Sequence, residues 1–382
     1  MTAMMFPTLN HIDDVLPHLE GRSDFVVKRG DGYMAIDYAY ATADTFSDAF
    51  RLECRGIKFD LSGNLIARPF HKFFNVNERP ETQQHLIDVA KPHIVTDKLD
   101  GSMIHPAIIS GELVFMTRMG ITDISAKAMR HASSVGSGDV FEFCRRCIDH
   151  GLTPIFEYTA PDNRIVVAYR IPSLTLLAVR ENHTGRYLDE NEIGLPENLT
   201  LVGRNIPIKN MASFIATARG LVDAEGYVIR FTDGFMIKIK GDDYVLRHRA
   251  KDRIGLEKNA LRAVLENADD DLMSVLPEQD ADALVKYARD VRAAITILQE
   301  RVDDLLRATA GIDRKTFAIH HVSSLPLILR PAAFNGYEGK DVRSSIVAFL
   351  LKQTGVGSRI DAIRDQAGLP SWNDYCRWTP EE

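Results

Sequence analysis

The stretch with the clearest potential for covalent chemistry is Lys98-Leu99-Asp100-Gly101-Ser102. A lysine amine that has lost its proton is a nucleophile, which can attack a phosphate ester and carry the transferred group. Asp-Gly is also a common turn between two strands, and a lysine beside such a turn is often only a solvated charge. The remaining residues must decide between these two interpretations.

Two further lysines follow in a strand pattern, Ile237-Lys238-Ile239-Lys240. Residues two apart on a strand share a face, so both ammonium groups can act together on a negatively charged group. A lysine at its ordinary pKa of about 10.4 is protonated at neutral pH, and we expect nearby cations or a magnesium ion to lower the pKa of Lys98. The same alternation is also the ordinary pattern of a half-exposed strand.

Two carboxylates stand where they would serve such chemistry. Glu225 begins a predicted strand beside the Lys238–Lys240 strand and can hold magnesium, a hard ion that prefers carboxylate oxygens. Glu157 lies inside an apolar strand, where burial without a partner is costly, and a ribose hydroxyl would be a suitable partner. Glu-Gly before an apolar strand is also an ordinary turn signal.

Two upstream cations complete the set. Arg55 and Lys72 can contact phosphates, the arginine through a bidentate fork. Each residue has an ordinary structural interpretation when it is taken alone. Their occurrence together, in one order and with these gaps, favours a single site for nucleotidyl transfer.

This ordered set resembles the covalent nucleotidyltransferases, and most closely the RNA ligase 1 family of phage ATP-dependent ligases that repair broken tRNA. The resemblance extends over about residues 50–250. It is carried by C-R-G-I-x-F at 54–59, K-F-F-N at 72–75, K-L-D-G-S at 98–102, F-E-Y at 156–158, P-x-N-R-I-V at 161–166, E-G-Y-V at 225–228, and K-I-K at 238–240 with Tyr244 and His248. The arginine-glycine pair and K-F-F-N separate this family from other K-x-D-G proteins.

The resemblance implies a role for each matching residue. Lys98 would form the lysine–AMP adduct, with Lys238 and Lys240 as further catalytic residues on the triphosphate and α-phosphate, and Glu225 would bind the metal. The implied ATP-binding residues are Arg55, Lys72, Asp100, Gly101, Arg118, Glu157, Glu225, Lys238 and Lys240. Arg118 stands where the family tends to carry a lysine, which keeps the charge but changes the geometry. Tyr244 would contact phosphate or RNA, or else pack at a strand edge.

Short strand patterns dominate the chain up to about residue 245, and helical periodicity dominates the rest. The predicted strands are 25–28, 33–37, 55–59, 64–68, 93–97, 103–109, 113–118, 154–158, 164–169, 174–180, 226–231 and 235–240, and the predicted helices are 10–20, 122–134, 139–150, 211–219, 279–307, 344–352 and 360–367. We therefore predict an α+β protein. An antiparallel-sheet nucleotidyltransferase (adenylyltransferase) domain would span 1–248, and a mostly helical C-terminal domain linked to tRNA recognition would span 249–382.

Composition sets broad limits on the class of protein. The 382 residues are 45% hydrophobic and 26% charged, as in a globular protein of two or three domains. The net charge of −7 argues mildly against a polynucleotide partner, so RNA binding would need a local basic groove. No apolar run approaches the ~18 residues of a membrane span, and the N-terminus lacks the pattern of a secretory signal. These features predict a cytoplasmic protein without a membrane partner.

Cysteine and aspartate clusters offer alternative sites. Cys144 and Cys147 have the spacing of a zinc or redox motif, but Cys54 and Cys376 lie far away, and the segment also fits an amphipathic helix with buried thiols. Four cysteines without a signal sequence fit a reducing compartment. Asp269-Asp270-Asp271 would bind a cation or form a solvated helix end.

The sequence thus predicts an ATP-dependent RNA ligase that uses Mg²⁺, or alternatively Mn²⁺, to seal 5′-phosphate and 3′-hydroxyl ends. Its substrate would be broken tRNA or single-stranded RNA ends, with an end-healing kinase/phosphatase as a possible partner and a monomer as the expected state. One alternative is a DNA ligase or a capping guanylyltransferase, although these carry a small β-barrel where the present chain reads as helices. The other is a non-catalytic RNA-binding protein with a degenerate nucleotidyl site.

Overall fold

The structure is a computed structural model that describes residues 6–134, 138–355 and 358–375. The chain divides into two compact units, Met1–Val245 and Leu246–Glu382. The predicted boundary after residue 248 falls within helix Asp242–Ile254, as does the observed one. Cys376 and the first five residues lie outside the described residues, as does part of the predicted break at 355–358.

The first unit contains three sheets, which position almost all of the predicted site residues. The first sheet has the order β1-β2-β3-β4, with β1 Phe25–Gly30, β2 Tyr33–Tyr38, β3 Ile57–Asp60 and β4 Leu65–Ala67. The second has the order β10-β9-β7-β8, with β7 Ser102–Ile109, β8 Glu112–Met116, β9 Leu152–Thr159 and β10 Ser173–Glu181. The third has the order β11-β6-β12-β13-β5, with β5 Phe74–Asn75, β6 His93–Lys98, β11 Arg204–Asn205, β12 Gly226–Phe231 and β13 Met236–Lys240. The β13–β5 pair is parallel, and the other pairs are antiparallel.

Helices accompany the sheets of this unit. They are α1 Ala49–Glu53, α2 Asp123–Ser134, α3 Gly138–Asp149, α4 Met211–Arg219 and the start of α5 Asp242–Ile254. Three of them, α2, α3 and α4, pack on sheet faces. Helices α2 and α3 pack on the second sheet, where Cys144 and Cys147 are buried beside Phe156. Both thiols are buried on this helix, which confirms the interpretation as buried helix thiols, and burial raises the pKa of the Cys147 thiol to about 12.

The second unit is helical in its described residues, with a core arranged around one long helix. Its helices are α6 Glu257–Leu265, α7 Asp269–Met273, α8 Glu278–Ala308, α9 Arg314–Phe317, α10 Arg330–Tyr337, α11 Val342–Gln353 and α12 Ser358–Ala367. Leu284, Val291, Ile295 and Leu298 of α8 are buried, as their three- and four-residue spacing predicts. The α+β prediction with a helical C-terminal region is therefore confirmed. None of the described helices is long and apolar enough to cross a bilayer.

Two local predictions are wrong, and a third holds only in part. Residues 10–20 form two short 3₁₀ turns, Ile12–Asp14 and Leu16–Leu19, with Pro17 at the start of the second. The solvated helix end predicted at 269–271 holds for Asp270 and Asp271, which are exposed, but not for Asp269, which is fully buried and pairs with Arg292 at 2.8 Å. Residues 164–169 do not form a strand, since the amides of Val166 and Val167 bind a carboxylate within the site.

A buried ion network lies within the first unit. Glu53, at the end of α1, is 2% exposed, and its two oxygens bind Arg68 and Arg180 at 2.7–3.1 Å. The arginines keep the pKa of Glu53 at about 2 even though burial opposes ionisation. Both guanidinium groups also donate to backbone carbonyls, so the charges are fully bonded, as buried ions require.

Candidate active site

The register of the third sheet places one glutamate between two lysines. Gly226 is the partner of Lys98 on β6 and of Lys240 on β13, and the side chain of the residue before it contacts both lysines. That residue is Glu225. Gly226 has φ +148°, and a Cβ there would lie 1.9 Å from the carbonyl oxygen of Ile239. Only glycine permits this close approach.

Glu225 forms an ion pair with each lysine. Its Oε2 lies 2.8 Å from Lys98 Nζ, and its Oε1 lies 3.0 Å from Lys240 Nζ. The Glu225 side chain is 4% exposed, whereas the two lysine side chains are 23% and 26% exposed. The carboxylate is thus an internal counterion, and both amines reach towards an accessible space.

These charges control the protonation of Lys98. Burial alone would lower the pKa of Lys98, but the carboxylates of Glu225, Glu157 and Asp100 outweigh burial, so its pKa is raised. In the same pair, burial opposes ionisation of Glu225, yet Lys98 and Lys240 keep the pKa of Glu225 below its usual value. In this structure the pKa of Lys98 is raised and not lowered, because its contact partner is an acid; the lowering of this pKa by a magnesium ion stays a prediction. Lys98 is therefore an ammonium ion at neutral pH.

Lys238 shows the opposite behaviour on the same face of β13. Burial and the charges of Lys98, Arg55, Lys72 and Lys240 lower the pKa of Lys238 to about 7. Its ammonium group lies 5.4 Å from the centre of the Phe73 ring. Five predicted cationic residues therefore share one electrostatic environment, which an anion with several charges would stabilise.

Lys72 and Arg118 meet at a tyrosine that the sequence analysis did not select. Tyr38 Oη accepts hydrogen bonds from Lys72 Nζ at 3.4 Å and from Arg118 Nη1 at 3.1 Å. Arg118 Nε also lies 2.9 Å from the buried carboxylate of Asp37. An acid inside the apolar strand 33–38 is the same signal that drew attention to Glu157, and it marks this part of the site. Arg118 is fixed by a carboxylate and a phenol, as its fork of donors allows.

Glu157 and Gly101 form one contact. Glu157 Oε1 accepts a hydrogen bond from the backbone amide of Gly101 at 3.0 Å. Burial, together with the charges of Glu225 and Asp100, raises the pKa of Glu157 to about 8 against the opposing effect of Lys98. A Cβ on Gly101 would lie 2.3 Å from the carbonyl oxygen of Tyr158. Gly101 therefore allows the lysine-containing loop to lie directly against β9.

Asp100 binds protein groups through both carboxylate oxygens. Its Oδ2 accepts hydrogen bonds from the amides of Val166 and Val167 at 2.7 Å each, and its Oδ1 accepts one from Tyr244 Oη at 2.6 Å. Tyr169 Oη accepts a hydrogen bond from the Asp100 amide at 2.9 Å. The carboxylate of Asp100 therefore positions the loop that follows Lys98, and a contact of Asp100 with the nucleotide stays a prediction. Tyr244 is buried on α5 and supports the same loop.

Glu225, the predicted metal ligand, can hold a metal ion only together with ligands from the substrate. No group of three or more His, Cys, Asp or Glu in the described part of the chain is arranged to hold a metal ion. Glu225 and Glu157 are carboxylates that both act on Lys98. Magnesium is commonly bound by one or two carboxylates together with substrate phosphates and water, and Glu225 suits that arrangement. His248, which belongs to the matching motif, pairs with Asp252 at 3.1 Å on the same helix.

Comparisons with known proteins agree with this geometry. A family model described as RNA ligase matches residues 53–244, half of the chain, which includes Lys98 and its partners. The chain belongs to the RNA ligase family, and the resemblance inferred from its motifs is confirmed.

Relatives across this family align at moderate identity. A protein of Thermovibrio ammonificans named "Putative RNA ligase" is 31% identical over 63% of this chain, and the match spans 64% of that relative's length. RNA ligase 1 of bacteriophage TS2126 is 29% identical, with 90% of each chain covered. A solved structure of an archaeal ATP-dependent RNA ligase has 20% identity and a TM-score of 0.44, covering 62% of this chain and 63% of that one.

Proposed function

We propose that this chain is an ATP-dependent RNA ligase that joins 5′-phosphate and 3′-hydroxyl ends through a Lys98–AMP intermediate. The observation that carries the proposal is the cation site around Lys98, in which Arg55, Lys72, Lys238 and Lys240 share one environment. An amine, an internal carboxylate and several cations are the groups that transfer of a nucleotide from a triphosphate requires. The family match supports RNA over DNA as the polynucleotide.

Three steps make up the reaction. Lys98 Nζ forms a bond to the α-phosphorus of ATP, the bond to the β-phosphate oxygen breaks, and pyrophosphate leaves as the amine loses a proton. The RNA 5′-phosphate then displaces Lys98 and takes the AMP, forming a pyrophosphate-linked end. A 3′-hydroxyl finally attacks the RNA phosphorus, loses its proton and expels AMP, leaving a phosphodiester bond.

The residues of the site have distinct roles in these steps. Lys238 and Lys240 neutralise the triphosphate at the α-phosphate, with Arg55, Lys72 and Arg118 on its other oxygens. Glu157, protonated at neutral pH because its pKa is about 8, can donate a hydrogen bond to a ribose hydroxyl. Magnesium bound at Glu225 would supply positive charge that offsets the hold of this carboxylate on the Lys98 ammonium ion.

The RNA and its partners form the outer part of the proposal. We propose that the helical second unit contributes to recognition of broken tRNA or of single-stranded RNA ends. Such ends require a 5′-phosphate and a 3′-hydroxyl, so a kinase/phosphatase activity would prepare them. Nicked and single-stranded RNA and DNA with these ends, offered side by side, will identify the sealed polynucleotide, and exclusive sealing of DNA would replace the RNA proposal by a DNA ligase.

The covalent step has a direct test. ATP labelled in its α-phosphate, with magnesium, should transfer label to the wild-type chain and raise its intact mass by one AMP. Lys98→Ala should remain unlabelled, whereas Lys91→Ala should be labelled like wild type, because Lys91 pairs with Asp233 outside the cation site. Label taken only from GTP would indicate a guanylyltransferase, and no label in the wild type would favour a non-catalytic RNA-binding protein.

A further inference from the structure

Lys58 is a buried lysine to which the proposed reaction assigns no role. It occupies β3, paired with Ala35 on one side and Ala67 on the other, and is 0% exposed. A lysine is almost never fully buried unless its ammonium group is bonded. The partners of this group therefore indicate what it does.

The ammonium group joins two separate chain segments. Lys58 Nζ donates to the carbonyl oxygen of Gly56 at 2.5 Å and to that of Arg118 at 2.9 Å. Gly56 precedes β3, whereas Arg118 follows β8. We call these three residues the Lys58 clamp.

The two segments are also in direct contact. Gly56 has φ +84°, and a Cβ at this position would lie 2.7 Å from the carbonyl oxygen of Arg118. Only glycine fits this backbone conformation without strain and leaves room for the close approach. The Lys58 clamp therefore joins two segments whose backbones can touch because Gly56 has no side chain.

Each clamped segment presents a cation to the proposed nucleotide site. Arg55 directly precedes Gly56, and Arg118 carries its own guanidinium. Arg118 is further fixed by Asp37 at 2.9 Å and by Tyr38 at 3.1 Å. The clamp fixes the backbone, and these two partners fix the side chain.

We propose that Lys58 is a positioning residue for ATP binding, which sets the backbone from which Arg118 and Arg55 reach the nucleotide. It acts through these residues and touches no reacting atom. The inference rests on the proposed function, since it assumes that the two arginines contact ATP.

The charge on Lys58 depends on groups from several strands. Burial, together with the charges of Arg118 and Lys28, lowers the pKa of Lys58 to about 7 against the opposing effect of Asp37. His105 on β7 also faces it, and burial together with Lys58 lowers the pKa of His105 to about 3. Charged hydrogen bonds are about twice as strong as neutral ones, so the clamp is tightest below neutral pH.

A double-mutant cycle tests the inference by equilibrium binding. The four full-length chains are wild type, Lys58→Met, Arg118→Met and the double variant, each titrated with α,β-methylene ATP, which cannot transfer AMP. Lys58→Met should weaken binding about tenfold in the wild-type background and by a clearly smaller factor in the Arg118→Met background, where only Arg55 still depends on the clamp. Ile57→Val serves as a matched control, because Ile57 is the adjacent buried residue of β3 and contributes no side-chain hydrogen bond.

The outcomes separate positioning from a general loss of folding. An equal loss of affinity from Lys58→Met in both backgrounds, or the same loss in Ile57→Val, would overturn the inference. If thermal unfolding shows that Lys58→Met is not folded, Lys58→Gln replaces it in the cycle, with a smaller loss expected since the amide can still donate. If the wild type binds the analogue but takes no AMP from ATP, the proposed function is refuted. The double-mutant cycle would then still test whether Lys58 positions the binding site.

Discussion

Replacing Glu225 by glutamine should make Lys98 more reactive in the absence of ATP and metal. The substitution removes the carboxylate that lies 2.8 Å from Lys98 Nζ and keeps the shape of the side chain. Burial and the neighbouring cations, which lower the pKa of Lys98, are then opposed by fewer negative charges. Lys238 shows how the pKa of a lysine in this site changes without such a carboxylate, because burial and the neighbouring cations lower its pKa to about 7.

The magnitude follows from the fraction of neutral amine. At pH 7 a lysine with a pKa of about 10.4 is neutral in roughly 1 of 2,500 molecules, and one with a pKa of about 7 is neutral in about half. A less basic amine is also a weaker nucleophile, and Glu157 still acts on Lys98. We therefore expect the acylation rate of Lys98 to rise about tenfold, well short of the full change in neutral fraction.

Trace acetylation at pH 7, followed by mass spectrometry of the peptide that contains Lys98, measures this rate. Lys91 in the same sample is the internal reference, because its partner is Asp233 at 3.1 Å and the substitution does not touch that pair. Asp233→Asn is the matched variant, which should change Lys91 and leave Lys98 as it was. An unchanged or slower reaction of Lys98 in Glu225→Gln would refute the conclusion that Glu225 keeps Lys98 protonated.

Three further predictions concern stability. The pKa of Glu157 in the folded chain is about 8, above its unfolded value of 4.5, so its stabilising contribution is complete below pH 4.5 and is lost as pH rises through 8. The free energy of unfolding of the wild type should therefore fall by about 1.4 kcal/mol per pH unit from this group, and Glu157→Gln should lack this fall when both chains are unfolded in urea from pH 5 to 9. Glu53→Gln should lower the free energy of unfolding by about 3–5 kcal/mol, because two buried arginines lose their counterion, and an effect below 1 kcal/mol would contradict this role. Gly226→Ala should reduce the melting temperature and the labelling of Lys98 together, because its Cβ would overlap the Ile239 carbonyl, and normal values for both would contradict the strand register.

The sequence predicted the strands of the site because their signals are local. Alternation over 235–240 placed Lys238 and Lys240 on one face, and the structure has both on β13. The apolar run around Glu157 likewise became β9, with the carboxylate buried as expected. Each of these predictions needed only the residues within one strand.

Contacts between distant segments could not be read in this way. The raised pKa of Lys98 follows from the register that brings in Glu225, which no local pattern specifies. Residues 164–169 have a strand pattern, but Asp100 accepts the hydrogen bonds of Val166 and Val167. A segment with a strand pattern forms a strand only if its amides bind the backbone of a neighbouring strand. Here they bind a side chain from another loop.

The position of Gly226 between two lysines also determines where the chain can tolerate changes in length. An insertion anywhere between β7 and β11 lengthens the path from Lys98 to Glu225 without altering which residues face each other across β6 and β12. A single residue added between Glu225 and Gly226 would instead shift the acid by one position relative to β6 and β13 and separate it from its lysines. Loops of very different lengths can therefore be grafted between these strands, whereas the hairpin of β12 and β13 must keep its length for Glu225 and Lys240 to meet.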